Sequence, residues 1–401
     1  MTKVVNSWNE WDPLKRVILG RPEGTQVHAP EPGYRHDYPK HGFPLGSYGR
    51  FPQKMVDEAN EQMDYFEKVM KENGATVDRV VPHPALMDVR AFSTPDWTQL
   101  NFRGCNNPRD LFLPVGNEIM EATCCIRSRW YEYLCLRPIF ERYFKEDSEF
   151  LWTAAPKPRL TDESYEKNYF YNFDDVWTKE EKLERHKEWK YHLTEKEPLW
   201  DAADASRCGK DIFWQASCVT NRSGMDWLKR YFGAKDIRIH PIMFCPTEDW
   251  VTGESDLALY LFPWHIDYLL IALRPGLFIV NPDDPIITEE AKKLFKMNDW
   301  ELVEAARPTH HYKDTVNVFG HATEGPSLST SMNTFSLGPD KVCVEAHETA
   351  YIKQLEGLGF DVIPIPYDRV NPFGGLLHCT TLDVYREGKL KDYFPKQIPG
   401  Y

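Results

Sequence analysis

Five residues that could act as acids, bases or orienting carboxylates stand at the starts of apolar runs. They are Asp110, Asp201, Asp204, His265 and Asp267. If a strand has begun at His265, its side chain and that of Asp267 point to one face, where the carboxylate can orient the imidazole. The alternative for His265 and Asp267 is an ordinary surface pair. For Asp201 and Asp204 it is a cap, and for Asp110 it is a salt bridge at the end of a strand. The residue types predict candidate groups for acid-base chemistry.

Cys379 is the strongest candidate for a nucleophile. Gly374 and Gly375 precede it, and glycines let the backbone approach a ligand closely. A buried core thiol is the alternative and the more common state of a cysteine in a strand. On a strand His378 would point to the opposite face, which makes it a poor base for its neighbour. The partner base is therefore expected from another segment, and His265 is the candidate.

The elements that would position these residues repeat along the chain. Three segments each contain two apolar runs joined by a tight polar or glycine turn, which predicts a β-hairpin. These segments are residues 111–122, 269–281 and 334–346. An amphipathic helical stretch follows each hairpin, and one more short apolar run follows each helical stretch. The predicted unit is therefore hairpin, helix and strand.

Two further copies of this unit make a set of five. One lies within residues 211–242, and the other begins with the apolar run 17–21. The latter lacks one hairpin strand, which residues 377–388 can supply by pairing back from the far end. Such pairing leaves no exposed sheet edge and predicts a closed five-unit ring. A doubly wound α/β sheet is the alternative, but it has no hairpin before each helix, and the sequence lacks the glycine-rich phosphate motifs.

Equivalent strand ends of such a ring meet near its axis, so the candidate residues are expected to converge there. Residues 1–401 are predicted to form a single domain with insertions near 157–200 and 246–264. The first insertion is rich in Lys, Glu, Trp and Tyr and is interpreted as a partly helical surface segment. The second is interpreted as a lid or rim loop, because loops on a rigid scaffold often carry specificity.

The charge balance restricts the partners. The chain has 48 Lys and Arg against 61 Asp and Glu, a formal charge of −13. This disfavours nucleic acid and anionic membranes, because both attract positive surfaces. No apolar run reaches the roughly 18 residues of a membrane span, and residues 1–11 show no targeting pattern, so a cytoplasmic location is expected. The nine cysteines lack CxxC pairing, which favours reduced and mostly buried thiols.

Several motifs, in order along the chain, resemble those of the arginine amidinotransferases. They include NSWNEWDPLKRVILG, PRDLFLPVGNEIMEA, APKPRLTDESY, DAADASRCGKDIF, HID followed by NPD, SMN and GGLLHCTT. The resemblance runs from about residue 4 to residue 395, and the type is represented by glycine amidinotransferase and by antibiotic or cyanotoxin pathway enzymes. It implies the pentein α/β-propeller, a ring of five pseudo-symmetric units. It also implies no metal, no organic cofactor, small-molecule substrates and, as in similar enzymes, a homodimer.

The resemblance also implies a role for each candidate. Arginine is the expected amidino donor, and a primary amine is the expected acceptor. Cys379 would attack the guanidinium carbon and carry the amidino group as a covalent intermediate. Asp110 and Asp267 would clamp the guanidinium. His265, held by Asp201, would protonate the departing ornithine and later deprotonate the acceptor.

Four positions bear on substrate choice. Ser327 falls where the family places a serine near the nucleophile. Arg127 is expected to bind a substrate carboxylate or, alternatively, to form a salt bridge at a helix start. Trp264 is bulkier than its counterpart in the glycine enzymes, and the loop 246–264 is longer, which predicts an acceptor other than glycine, in the biosynthesis of a toxin or another specialised metabolite. Asp284 stands where those enzymes carry an arginine that holds the donor carboxylate. Either Arg127 or another arginine takes over that contact, or the ligand there carries an amine instead of a carboxylate.

Two other functions are compatible with the same residues. In a hydrolase of the superfamily, of the arginine deiminase or dihydrolase type, water would resolve the amidino-cysteine. A non-catalytic binding or scaffold protein of the same fold is the second alternative. The presence of Asp201, His265 and Cys379 disfavours the scaffold.

Overall fold

Five three-stranded sheets of one topology organise the chain. The computed structural model describes residues 3–33, 48–245, 264–310 and 331–401. The five sheets are β19–β1–β4 (Thr381–Arg386, Leu14–Leu19, Thr76–Arg79), β7–β8–β9 (Phe112–Val115, Glu118–Glu121, Leu151–Ala154), β10–β11–β12 (Ala205–Cys208, Asp211–Gln215, Arg238–Ile242), β13–β14–β15 (Leu270–Arg274, Leu277–Val280, Glu301–Glu304) and β16–β17–β18 (Phe335–Gly338, Lys341–Glu345, Asp361–Ile365). Two short pairs, β2–β3 (Gln26–Val27, Gly49–Arg50) and β5–β6 (Phe92–Ser93, Thr98–Gln99), lie outside them.

Each three-stranded sheet consists of an antiparallel pair and a third strand parallel to the middle one. The predicted hairpins and both further copies of the unit are confirmed. The turn between β10 and β11 shows why these connections are tight. Gly209 has a φ of +71°, and a Cβ there would lie 2.2 Å from the carbonyl oxygen of Lys391. Only glycine fits this turn without displacing the backbone.

The C-terminal strand completes the first sheet. β19 pairs antiparallel with β1, with Val17 opposite Asp383 and Ile18 opposite Leu382. The prediction that residues 377–388 supply the missing strand is therefore confirmed. This pairing places Cys379, two residues before β19, beside the N-terminal unit.

Eight α-helices occur in the described part of the chain. They are α1 (Gln53–Glu72), α2 (Pro108–Leu111), α3 (Tyr133–Glu146), α4 (Tyr169–Tyr171), α5 (Lys179–Lys187), α6 (Arg222–Gly233), α7 (Glu289–Met297) and α8 (Thr349–Gly357). Helices α1, α3, α6, α7 and α8 connect the middle strand of a sheet to its third strand. In α1 the buried residues Ala59, Met63, Phe66 and Met70 recur every three or four positions. This apolar stripe covers the β1 sheet, and each large side chain buried contributes about 1.5–3 kcal/mol.

The segment 157–200 is helical in part, as predicted, because α5 lies within it. Thr178 and Glu181 form a reciprocal capping box at the start of α5, which satisfies two backbone N–H groups. The prediction of a surface insertion is wrong in one respect. Tyr169, Phe173 and Tyr191 are buried and belong to the largest apolar cluster of the described chain. Their aromatic area makes the segment part of the core.

The remaining expectations about the fold have mixed outcomes. All nine cysteines are buried free thiols, as predicted. The proposed lid at 246–264 lies outside the described residues except for Trp264. Within the described ranges, no helix has both the length and the apolar composition needed to cross a membrane.

Candidate active site

Three carboxylates converge where short helical turns lead into first strands. Asp110 lies in α2 before β7, Asp201 precedes the 3-10 turn Ala202–Asp204 before β10, and Asp267 lies in the turn Ile266–Tyr268 before β13. His265 joins two of them. Its Nε2 lies 3.4 Å from Asp201 Oδ2, and its Nδ1 lies 3.9 Å from Asp110 Oδ1. The expected convergence of these residues is therefore observed.

His265 and Asp267 do not share one face of a strand. His265 directly precedes the 3-10 turn Ile266–Tyr268, and Asp267 lies within it, so the two side chains point in different directions. His265 contacts Asp110 and Asp201, whereas Asp267 contacts Cys379. The turn thereby gives the base and the carboxylate separate partners.

The surroundings of His265 favour its protonated form. Burial disfavours the imidazolium, but the negative charges of Asp110 and Asp201 outweigh burial and raise the pKa of His265 to about 10. At neutral pH the ring therefore carries a proton that it can donate. A histidine in this state is suited to act as a general acid.

Cys379 lies at the end of a glycine-lined approach. Gly375 has a φ of +114°, and a Cβ there would lie 2.5 Å from the Cβ of Cys379 and 2.8 Å from its Sγ. The thiol donates to Asp267 Oδ2 at 3.0 Å. Asn333 Nδ2 donates to the sulfur at 3.1 Å. The nucleophile candidate thus lies in a polar site and is not a thiol of the apolar core.

The prediction that His378 points away from its neighbour is wrong. Residues 377–380 form a turn of helical type, in which the N–H of Thr380 donates to the Leu376 carbonyl at 3.0 Å. Adjacent side chains on such a turn diverge by far less than on a strand. His378 Nδ1 accordingly lies 3.0 Å from the same Asp267 oxygen that Cys379 reaches. His378 therefore positions the Asp267 carboxylate. It contacts this carboxylate and not the sulfur, so it is not placed to act as a base for the thiol.

The pKa values of Asp267 and Cys379 are shifted in opposite directions. Burial opposes ionisation of Asp267, but hydrogen bonds from His378 and Cys379 outweigh it and lower the pKa of Asp267 to about 2. Burial and the charges of Asp267 and Asp110 raise the pKa of the Cys379 thiol well above its usual value. The unliganded site therefore holds a carboxylate and a neutral thiol at neutral pH.

Each of the three carboxylates has one oxygen engaged and one buried oxygen without a hydrogen bond. Asp110 Oδ2 accepts from Arg129 at 2.5 Å, and Asp201 Oδ1 accepts from the N–H of Ala203. Asp267 Oδ2 accepts from Cys379 and lies 3.0 Å from Nδ1 of His378. The remaining oxygens, Asp110 Oδ1, Asp201 Oδ2 and Asp267 Oδ1, have no hydrogen-bond partner. Buried unsatisfied acceptors are costly, so this arrangement favours a cationic ligand with several N–H groups.

A buried ion network lies behind these residues. Asp383 accepts from Arg109, Arg207 and Arg386 at 2.8, 2.7 and 2.5 Å. Glu10 binds Arg207 through both oxygens, at 2.7 and 2.8 Å. Glu10 Oε2 also lies 3.6 Å from Nε2 of His378, and this contact joins the network to the active site. Because buried charges must be paired, the network holds four separate chain segments in fixed positions.

The same residues raise the question of a metal. Asp110, Asp201 and His265 place ligand atoms within 4.8 Å of one another. A metal at this position would have to displace the proton of His265, which the charges of Asp110 and Asp201 stabilise.

The other predicted site residues lie in different surroundings. The guanidinium of Arg127 donates to the Leu160 carbonyl and to Asp162, which corresponds to the salt-bridge alternative. Within the described ranges, the guanidinium of Arg127 has no hydrogen bond or ion pair with the Cys379 cluster. The ring of Trp264 packs edge-on against His265, with centroids 5.6 Å apart. Ser327 lies outside the described residues.

Asp204 and Asn333 complete the polar groups of the site. Asp204 Oδ2 accepts from the hydroxyls of Ser217 and Thr220, both at 2.5 Å, and these bonds give Asp204 a structural role. Asn333 is the residue that sequence reasoning missed. The SMN motif was its signal, because a polar residue there precedes β16 as the other candidates precede their strands.

Curated proteins of known activity match almost the whole chain. Glycine amidinotransferase from Xenopus laevis, described as mitochondrial, is 36% identical over 399 residues, covering 97% of this chain and 85% of the relative. The L-arginine:L-lysine amidinotransferase of Pseudomonas savastanoi pv. phaseolicola is 31% identical over 395 residues, covering 98% and 97%. The chain belongs to the amidinotransferase family. A scan against protein-family models gave no match.

Solved structures agree with this amidinotransferase assignment. An amidinotransferase of the saxitoxin pathway of Microseira wollei superposes with a TM-score of 0.79 at 33% identity, covering 97% of this chain and 99% of that one. Inosamine-phosphate amidinotransferase from Streptomyces griseus gives 0.75 at 28%, covering 98% and 100%. A dimethylarginine dimethylaminohydrolase from Pseudomonas aeruginosa, at 0.52 and 11%, shares the fold alone. The amidinotransferase therefore has the α/β pentein fold that the resemblance implied.

Proposed function

We propose that this amidinotransferase moves the amidino group of L-arginine to a primary amine through an amidino-Cys379 intermediate and releases ornithine. One observation carries the proposal. The thiol of Cys379 donates to Asp267, and both Asp267 and Asp110 have a buried oxygen without a hydrogen bond. The ring of His265 lies 3.9 Å from that oxygen of Asp110. A planar guanidinium satisfies those oxygens and exposes its carbon to the sulfur.

Substrate binding also activates the nucleophile. The guanidinium bound to Asp110 and Asp267 neutralises the charges that raise the thiol pKa, so the Cys379 proton is released to water. The thiolate then forms a bond to the guanidinium carbon and gives a tetrahedral adduct. The enzyme thereby keeps its thiol protonated until a cation has entered.

His265 acts in both halves of the reaction. In the first half its proton passes to Nε of arginine, the Cζ–Nε bond breaks, and ornithine leaves with the bonding pair. Asp201 stabilises the imidazolium before this transfer. In the second half neutral His265 accepts a proton from the entering amine, whose nitrogen attacks the amidino carbon. The carbon–sulfur bond breaks, and its electron pair returns to Cys379.

The loop after β14 bears on the acceptor. Asp284 is 9% exposed and has no hydrogen bond or ion pair to another described residue. Burial and the neighbouring Asp283 raise the pKa of Asp284 to about 7. Asn281 attaches this loop to the catalytic turn by donating to the carbonyls of Tyr268 and Leu269 at 3.3 and 2.9 Å. We propose that Asp284 receives an ammonium group, which selects a substrate amine that carries a second cation.

The proposal also covers the wider organisation of the protein. We infer that the five sheets close into a five-fold pseudo-symmetric propeller, because β19 returns to β1 and one ion network joins several units. Residues 1–401 form a single domain in this proposal. Trp264 would be a wall of the acceptor pocket and Ser327 a substrate contact. A toxin or other specialised pathway, a homodimer and a cytoplasmic location complete the proposal.

Product analysis tests the proposed reaction. The enzyme is incubated with arginine and a panel of primary amines, and ornithine and guanidinated products are identified by mass. We expect ornithine in amounts equal to the guanidinated amine. Citrulline or urea formed without an acceptor would instead identify a hydrolase.

A further inference from the structure

Asn333 is fixed in one orientation by the backbone of the nucleophile turn. Its Oδ1 accepts from the N–H of His378 at 2.8 Å and from the N–H of Cys379 at 3.3 Å. A backbone N–H can only donate, so the oxygen of the amide must face these two groups. The NH₂ group of Asn333 therefore faces the opposite side, where the reacting atoms lie.

The two N–H groups of this amide have two acceptors. Nδ2 lies 3.1 Å from Cys379 Sγ and 3.1 Å from Asp267 Oδ2. Asn333 is 4% exposed, so water does not compete for these bonds. The amide thus binds the sulfur and its carboxylate neighbour together.

Asn333 is the only donor to this sulfur among the described residues. The other polar groups near the sulfur act against its ionisation, because Asp267 accepts from the thiol and Asp110 adds a second negative charge. A thiolate loses the bond to Asp267 and needs a donor in its place. The amide supplies one without adding charge that would compete with the guanidinium.

We propose that Asn333 is a catalytic residue that stabilises the thiolate of Cys379, and this inference rests on the proposed role of Cys379 as the nucleophile. As the thiol, the sulfur donates to Asp267. As the thiolate, it accepts from Asn333, whose second N–H keeps Asp267 in place. The proton leaves to water, and no further reactant is needed.

The test uses two variants that remove the donor differently. Asn333→Asp keeps an oxygen that accepts from the backbone N–H groups of His378 and Cys379 but replaces the NH₂ group with a charged oxygen. Asn333→Ser removes the hydrogen bond to the sulfur without adding charge. Iodoacetamide alkylation of Cys379 is followed against pH by peptide mass, and amidino-Cys379 formation is followed in a single turnover at saturating arginine. Thr334→Val is the matched control, because Thr334 is the buried neighbour and contacts Tyr351 instead.

We expect both Asn333 variants to shift the alkylation midpoint to higher pH and to slow adduct formation by about 10- to 100-fold, the effect of one hydrogen bond to a charged group. The control keeps the wild-type midpoint. The role of Asn333 alone would be overturned if either folded Asn333 variant kept the wild-type alkylation midpoint and rate of adduct formation, while Cys379→Ala abolished the adduct. Unchanged turnover in Cys379→Ala would overturn the proposed function itself.

Discussion

The thiol of Cys379 donates to Asp267 across 3.0 Å, and the carboxylate that accepts this bond is also a proposed ligand of the substrate. One residue therefore keeps the nucleophile protonated in the free enzyme and binds the cation that releases it. This relationship predicts that the reactivity of the sulfur and the turnover of arginine respond in opposite directions to one substitution.

Asp267→Asn is that substitution. Removing the negative charge lowers the pKa of Cys379, so alkylation of the free enzyme at neutral pH becomes faster. Loss of the guanidinium ligand lowers kcat/KM for arginine by about 100-fold. Peptide mass and steady-state kinetics measure the two effects. Asp204→Asn, a buried carboxyl bound to Ser217 and Thr220, leaves the alkylation rate unchanged. Slower alkylation in Asp267→Asn would contradict the relationship.

The pH dependence of turnover tests the role of Asp201. Its charge helps to raise the pKa of His265 to about 10, so the imidazolium persists at neutral pH and is lost as the pH rises through that value. Asp201→Asn lowers this pKa, so we expect the alkaline limb of the kcat profile to move to lower pH, with kcat reduced by about 10²-fold or more.

The pair of His240 and Asp211 provides a matched control. It is buried, with Nε2 and Oδ1 2.8 Å apart, and does not contact Cys379. Asp211→Asn therefore leaves the alkaline limb of the kcat profile in place. An unshifted limb in Asp201→Asn would mean that Asp201 does not set the protonation of His265.

The ion network predicts a large loss of stability. Asp383→Asn leaves Arg109, Arg207 and Arg386 without their shared buried carboxylate, at a cost of about 3–5 kcal/mol in the free energy of unfolding. Urea unfolding measures this change. Glu387→Gln, which removes the exposed partner of Lys15, costs less than about 1 kcal/mol. Equal losses in the two variants would show that the buried network is not a stabilising feature.

Asp284 predicts which amines are accepted. Asp284→Asn should raise KM for a diamine acceptor about 10-fold and leave KM for a monoamine of the same length unchanged, because only the diamine loses an ion pair. The matched control is Glu289→Gln, because the Glu289 carboxylate is exposed on α7 and pairs with Lys292 at 2.7 Å. An equal change for both amines in Asp284→Asn would remove the proposed ammonium site.

Much of this fold could be predicted from the sequence because hairpins leave a local signal. Paired apolar runs around a tight turn identified β13 and β14, and polar residues ahead of the strands identified Asp110 and His265. The contact between His378 and Asp267 could not be predicted, because it depends on a helical turn where the apolar pattern indicated a strand. Asn333 was missed for a related reason. Its function comes from an orientation that only the folded backbone imposes.

The residue that binds the donor carboxylate could not be identified from residue type. Arg127 occurs where a substrate ligand was expected, yet Asp162 and the Leu160 carbonyl hold its guanidinium. The partner of an arginine is set by distant segments, and residue type alone does not identify it.

The covalent intermediate is the central claim, and the mass of the Cys379 peptide tests it most directly. Enzyme mixed with arginine and no acceptor is quenched, digested and compared with enzyme that is then given a primary amine. We predict one amidino group on Cys379 before the amine is added, and its loss together with one equivalent of guanidinated amine afterwards. Ornithine release with an unmodified Cys379 peptide, and the same turnover in Cys379→Ala, would contradict the account.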